Sequence, residues 1–348
     1  MVVISGYYGF GNAGDESVLD GIVKLLKENR EEDVVVLTSD IEYTKEHHPT
    51  TTPISRYNIP EIIKYLKQAD LFITGGGSLL QNVTSNKSLM YYLGIIKLAQ
   101  KFCDRCVMFS QGVGPIKGVK WLQASMETVS KLDYVSVRDA DSYNLLFNLG
   151  IMAELTTDPA FFCDNDIDGA NSILEKYGMK DKPYVALSIR HYKDDKWQRT
   201  LSKALDDIVE RYPDITFLNI PFQAPDDFID LPLQHKENIV SITEPLSFRT
   251  VKALISLSDL VIGVRLHSLI FASAGSVPFI TLNYDPKNLA QANKYGLYSA
   301  KIRHIDRADF VENFCKMYDD KEAISIKMRD ITNKQVQMLR DSVKKILF

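Results

Sequence analysis

The sequence predicts an α/β protein made of two doubly wound, Rossmann-like domains. Three observations lead there. Short β-branched runs alternate with longer amphipathic stretches along the chain, the pattern of βαβ units on a parallel sheet. That series breaks at the polar stretch Asp164-Asn165-Asp166-Ile167-Asp168-Gly169 and then starts again. And 348 residues exceed one typical domain but suit two.

In the first half, Val2 to Ser5, Val34 to Thr38, Leu71 to Thr74, Val107 to Ser110, Tyr134 to Val137 and Glu154 to Thr157 read as strands. Helical patterns lie between several of them, at Glu16 to Asn29, Ile59 to Gln68, Leu89 to Phe102 and Trp121 to Lys131. The second series has strands at Tyr184 to Ile189, Asp214 to Ile220, Asn238 to Ile242, Leu260 to Gly263 and Phe279 to Leu282. Its helices fall at Trp197 to Arg211, Ser247 to Ser256 and His267 to Ala274, and a last one runs from about Lys321 to Leu347. The expected division is an N-terminal domain over residues 1–168, a C-terminal domain over 176–320 and a helix over 321–348 packing back on the first domain. The two domains would join near residues 164 to 180.

Composition narrows the function. With 45% hydrophobic and 25% charged residues the chain is an ordinary globular protein. A formal net charge of -4 leaves no basic footprint for nucleic acid. No signal-like N-terminus is visible and no apolar run reaches the roughly 18 to 20 residues of a membrane span, so a cytoplasmic protein is expected. Cys103 and Cys106 form a C-x-x-C without a second ligand pair, which reads as a helix end turning into a strand rather than a zinc site. His47-His48 beside Pro49 reads as an exposed loop.

In open α/β sheets ligands bind beyond the carboxyl ends of the strands. Those ends carry Gly6 to Asp15, Gly75-Gly76-Gly77-Ser78, Gln111-Gly112 and Arg138-Asp139 in the first half. In the second they carry Arg190-His191, Pro221 to Gln223, Val264 to Ser268 and Asn283 to Pro286. Two such edges facing across a cleft would make a site for two substrates.

The loop "YYGFGNAGDES" spells G-x-G-x-x-G through Gly9, Gly11 and Gly14. It suits a dinucleotide poorly, because Gly9 comes four residues after Ser5 and Asp15 and Glu16 would repel a pyrophosphate at the helix start. Asp15 reads either as a helix N-cap or as a carboxylate carried to a cleft by a glycine-rich loop. Gly75 to Gly77 allow close approach to the backbone and present N–H groups to a phosphate or a hydroxyl, or make a tight turn. Arg265, His267 and Ser268 gather where a strand meets a helix, a pattern for gripping an anion and supplying a proton. Arg138 and Arg190 each follow a strand in the same way, though Arg138 could instead pair with Asp139 or Asp141.

Through "YYGFGNAGDES", "LFITGGGSLLQ", "SQGVGP", "SVRDADS", "VRLHSLIFASAGSVPFI" and "YDPK" the sequence resembles the polysaccharide pyruvyl transferase family. It most resembles the CsaB-type members that ketalise a secondary cell-wall polymer precursor for S-layer anchoring. The resemblance implies a glycosyltransferase-B-like fold, phosphoenolpyruvate as donor, and neither nicotinamide nor metal. Its arginine-leucine-histidine motif falls on Arg265, Leu266 and His267, its N-terminal loop aspartate on Asp15, and a first-domain arginine on Arg138, with Arg190 as the other choice. His267 is then expected as general acid and Asp15 as base, with Arg265 and Arg138 on the donor's phosphate and carboxylate. Gly14, Glu16, Gly76, Gly77, Ser78 and Ser268 complete the expected binding set. The implied acceptor is an N-acetylmannosamine residue, ketalised at O4 and O6, in a lipid-diphosphate-linked precursor. Such an acceptor would bring the protein to the inner membrane leaflet, and Lys117, Lys120 and Trp121 could meet it there, though a solvated loop is the preferred reading. The rival readings are a nucleotide-sugar glycosyltransferase of the same fold class and a non-catalytic sugar-binding module.

Overall fold

Strand runs with few polar residues need cover on both faces, and the chain supplies it with parallel sheets flanked by helices. The computed structural model describes residues 1–30, 33–83, 85–192 and 196–347. Its first unit comprises Met1–Cys163 and Gln335–Phe348, and its second Asp164–Lys334.

The first sheet contains β1 (Val2–Ser5), β2 (Val34–Thr38), β3 (Thr52–Ser55), β4 (Leu71–Gly75), β5 (Cys106–Gln111), β6 (Tyr134–Val137) and β7 (Glu154–Leu155). They lie in the order β3-β2-β1-β4-β5-β6-β7, every pair parallel. Helices α1 (Ala13–Asn29), α2 (Ile41–His47), α3 (Ile59–Leu66), α4 (Asn86–Phe102), α5 (Val119–Val129) and α6 (Ala140–Asn148) connect them. The second unit holds α7 (Ile167–Lys176), then β8 (Val185–Ser188), α8 (Lys196–Arg211), β9 (Phe217–Asn219), β10 (Ile239–Ser241), α9 (Phe248–Ser256) and β11 (Leu260–Gly263). It continues with α10 (Leu266–Gly275), β12 (Phe279–Asn283), α11 (Pro286–Tyr295), β13 (Ser299–Lys301) and α12 (Arg307–Asp319). Its sheet runs β10-β9-β8-β11-β12-β13, again all parallel. The last helix, α13 (Lys321–Leu347), starts in the second unit and ends in the first.

In both sheets the strand order reverses beside the first strand, between β1 and β4 and between β8 and β11. The crevice at such a switch point is where this architecture binds ligands. The glycine loop and Gly75 to Gly77 flank the first crevice, and Arg190 and Arg265 follow the two strands of the second. β1 and β11 are buried at every position, and Phe72 and Phe109 in the first core and Phe217 and Phe279 in the second are sealed from solvent. No described helix is long and apolar enough to cross a membrane.

Several local readings are corrected. The stretch read as a linker is a helix: Asp166 caps α7 by accepting from Gly169 N at 2.9 Å and takes the Thr250 hydroxyl at 2.7 Å. The first unit thus ends at Cys163 rather than 168, and only the last part of α13 belongs to it. α1 begins three residues earlier than its hydrophobic pattern suggests, because Asn12, not Asp15, is the cap, accepting from Gly14 N at 3.0 Å. Strand β3 was hidden by Pro53, a residue tolerated here because β3 is an edge strand paired only with β2. His48 is buried, its Nε2 3.3 Å from Glu16 and its Nδ1 4.0 Å from Asp20, so it is no exposed loop residue. Cys103 caps α4 and Cys106 opens β5, both as free thiols.

Candidate active site

The candidate residues of the first unit lie at the carboxyl edge of the first sheet. β1 runs into the glycine loop, whose Gly9 has φ +77° and packs so tightly on β2 that an added Cβ would sit 2.1 Å from Thr38 Oγ1. The loop is latched from α1 by Glu16, whose Oε1 accepts from Gly9 N at 2.9 Å and Phe10 N at 3.2 Å. Glu16 is fully buried and also meets His48, so it serves the loop rather than a substrate. Gly14 is likewise buried within the first turn of α1.

Asp15 remains partly exposed beside the triple glycine, where a Cβ on Gly77 would lie 3.2 Å from its Oδ1. Gly76 (φ +59°) packs onto α1, and a Cβ there would strike Val18 Cγ1 at 1.9 Å. The Gly77 carbonyl accepts from Gly112 N at 2.8 Å, tying this turn to the end of β5. That end is irregular: Ser110 has φ 50°, and the register between β5 and β6 shifts between Met108 and Gln111. Left-handed backbone at a non-glycine residue is uncommon and collects at functional sites.

Arg138 is not an open anion seat. Its guanidinium is buried, with Nη1 on Asp158 and Nη2 donating to Ser78 Oγ at 2.9 Å, while Asp139 stands 4.0 Å from Nε. Asp158 is fixed in turn by the Ala160 N–H at 2.9 Å. Burial opposes the charge on Arg138, but Asp158 and then Asp139 hold its pKa above the ordinary arginine value. Arg138 therefore places Ser78 and the glycine turn, and its main partner is neither carboxylate expected from the sequence.

The candidate residues of the second unit follow the same plan. Arg265 is the N-cap residue of α10, without a side-chain cap, and its Nη2 donates to Asp227 Oδ1 at 2.6 Å. The other oxygen of Asp227 accepts from Phe222 N at 3.0 Å and Gln223 N at 3.1 Å, in the loop after β9. So the anion facing Arg265 at this helix start belongs to the protein itself. Arg265 Nε remains without a hydrogen bond. His267 follows in the first turn, partly exposed, its ring 6.5 Å from Phe271, which stacks on Phe222. Ser268 is consumed locally, its hydroxyl donating to the Arg265 carbonyl at 2.6 Å, and it is buried. Leu266 starts the helix, and Arg190 lies after β8 with its guanidinium 5.9 Å from the Tyr284 ring.

Two residues essential to this arrangement, Asp158 and Asp227, carry no local sequence signal. Each clamps an arginine on a strand end from 20 or 38 residues away. Buried polar atoms with no hydrogen-bond partner in the protein collect at the same edges: Ser5 Oγ, Thr74 Oγ1 and both amide atoms of Gln111 in one unit, Ser188 Oγ and Asn219 Oδ1 in the other. Among the described residues no cluster of three or more His, Cys, Asp or Glu side chains could hold a metal ion. Lys117 and Lys120 are exposed; the Lys117 backbone is clamped by Asn82 and Lys120 lies over the Trp121 ring.

Comparison with known proteins bears on what these residues handle. The family model described as polysaccharide pyruvyl transferase matches residues 12–286. The amylovoran biosynthesis protein AmsJ of Erwinia amylovora is 21% identical over 267 residues, covering 69% of this chain. The match covers 63% of that protein, so the chain spans less than two thirds of its relative's length. The fold is that of a putative UDP-N-acetylglucosamine 2-epimerase from Listeria monocytogenes, with TM-score 0.65, 14% identity and 94% of this chain and 90% of that one covered. The UDP-GlcNAc 2-epimerase from Neisseria meningitidis superposes with TM-score 0.63 and 12% identity, over 100% of this chain and 99% of its own. These likenesses give two parallel-sheet α/β domains of the glycosyltransferase-B type.

Proposed function

Because this chain belongs to the polysaccharide pyruvyl transferase family, we propose that it transfers pyruvate from phosphoenolpyruvate to a saccharide, forming a cyclic ketal and releasing phosphate. The observation that carries the reading is the placing of Arg265 and His267 together at the start of α10, inside the matched residues and at the switch point of the second sheet. The N–H groups of that helix start and the Arg265 Nε that Asp227 leaves open suit the donor's phosphate or carboxylate.

In the proposed reaction His267 protonates the methylene carbon of phosphoenolpyruvate, which makes C2 electrophilic. One acceptor hydroxyl adds there and yields its proton to Asp15. A second hydroxyl then displaces inorganic phosphate from the same carbon, its proton leaving with the phosphate, which closes the ketal and keeps the carboxylate intact. Arg138 contributes by holding Ser78 against the glycine turn beside Asp15, a positioning role that its buried contacts support. The acceptor we favour is an N-acetylmannosamine residue ketalised at O4 and O6 in a lipid-diphosphate-linked cell-wall polymer precursor, with the protein working in the cytoplasm against the inner leaflet.

General acid or base removal typically costs about 10²- to 10⁴-fold in rate. His267→Ala and Asp15→Ala should each lose that much phosphate release from phosphoenolpyruvate while still binding it. Near wild-type turnover in either variant would overturn the roles. Phosphoenolpyruvate should also raise the melting temperature where UDP and NAD do not, since only a ligand of the native state stabilises it.

A further inference from the structure

At the carboxyl end of β3 stands Arg56, a residue that the reaction above does not use. It is 6% exposed and is surrounded by aromatic rings. Its guanidinium carbon lies 4.3 Å from the Tyr91 ring centroid, 5.4 Å from those of Tyr92 and Phe10, and 5.6 Å from that of Tyr57. Nη2 donates to Tyr92 Oη at 3.3 Å, but Nε and Nη1 make no hydrogen bond. Among the described residues Arg56 has no carboxylate partner, in contrast to Arg138 and Arg265. Aromatic faces compensate a buried guanidinium only in part, so the site favours an anion.

The cover over this cation is aromatic and accessible. Phe10 rides on the glycine loop and is 37% exposed, Tyr7 stacks on it face to face at 4.0 Å, and Tyr57 is 69% exposed. Exposed aromatic faces offer pyranose rings an apolar platform, and Tyr57 presents the most exposed one beside the guanidinium. Tyr7 and Tyr92 each lie within electrostatic range of both Arg56 and Asp15.

We infer that Arg56 and its aromatic surround form a subsite for an anionic pyranose, the sugar stacking on the exposed Tyr57 ring and its phosphate or carboxylate replacing the missing counter-charge of Arg56. As a seat for the acceptor the subsite rests on the pyruvyl-transfer reading; as a binding site it does not.

The test titrates the full chain with N-acetylglucosamine 1-phosphate, glucuronic acid and neutral N-acetylglucosamine. At least one anionic sugar should bind tenfold or more tightly than the neutral one; the phosphate ester alone would identify a sugar phosphate, the uronate alone an acidic sugar. Arg56→Gln should erase that preference, while phosphoenolpyruvate binding stays within twofold. Tyr57→Ala, a surface change that spares the fold, should weaken the preferred sugar about tenfold. Equal binding of charged and neutral sugars, an unchanged preference in Arg56→Gln, or full affinity in Tyr57→Ala would each overturn the inference. No arm involves turnover, so a protein that binds anionic sugars but never consumes phosphoenolpyruvate would sink the transferase reading and leave this subsite standing.

Discussion

Replacing Asp227 by Asn probes the clamp on Arg265 in the second unit. Asp227 is 1% exposed and accepts three hydrogen bonds, from Arg265 Nη2 at 2.6 Å and from two backbone N–H groups at 3.0 and 3.1 Å. An amide keeps the shape but removes the charge, and it must turn its NH₂ toward either the guanidinium or the backbone donors. Removing one partner of a buried ion pair costs roughly 3–5 kcal/mol. Arg265 keeps 12% side-chain exposure, so water recovers part of the loss, and the lower end applies, about 3 kcal/mol or a hundredfold in the folding equilibrium. The assay uses the protein's two tryptophans, Trp121 in the first unit and the buried Trp197 in the second. In a Trp121→Phe background, Trp197 fluorescence during urea unfolding reports the second unit. Comparing Asp227→Asn, Arg265→Gln and the double variant closes a cycle, whose coupling should be about 3 kcal/mol. If the two changes add to within about 0.5 kcal/mol, the clamp is energetically idle and the reasoning fails.

Three further outcomes follow from local geometry. Glu16→Gln should loosen the glycine loop by about 2 kcal/mol, read as faster hydrogen exchange at Gly9 and Phe10; unchanged exchange would free Glu16 from that role. Gly76→Ala should cost about 3 kcal/mol, from a left-handed φ of +59° plus a collision with Val18, whereas Gly11→Ala, with φ +65° and open space around it, should cost only about 1 kcal/mol in a urea melt. Equal costs would contradict the packing of the triple glycine on α1. The neighbouring Cys106 thiol brings the Cys103 thiol down to about 7, so its iodoacetamide labelling, followed at the peptide level, should rise through pH about 7 and shift upward in Cys106→Ala; a midpoint in the ordinary thiol range would refute that.

How much was legible beforehand depended on whether the signal was local. The central strands announce themselves as β-branched runs because a parallel sheet buries both faces, and the arginine-leucine-histidine segment stands out because an arginine and a histidine crowd one helix start. β3 did not, since four residues containing Pro53 look like a loop until β2 is beside them. Asp15 and Glu16 looked alike in the sequence. Only the fold separates them, burying Glu16 under the loop it latches and leaving Asp15 beside Gly77. Asp158 and Asp227 are ordinary loop aspartates until the chain closes each on an arginine. The Arg56 cluster draws on Phe10, Tyr57, Tyr91 and Tyr92, three separate segments that no spacing rule connects.

The most direct test of pyruvyl transfer is to supply phosphoenolpyruvate with a lipid-linked or soluble N-acetylmannosamine acceptor and follow both products. The account predicts one inorganic phosphate released per acceptor modified, with the acceptor gaining the mass of pyruvate less one water, and neither product in the His267→Ala variant. Release of a nucleoside diphosphate from a nucleotide sugar, with phosphoenolpyruvate left intact, would contradict it.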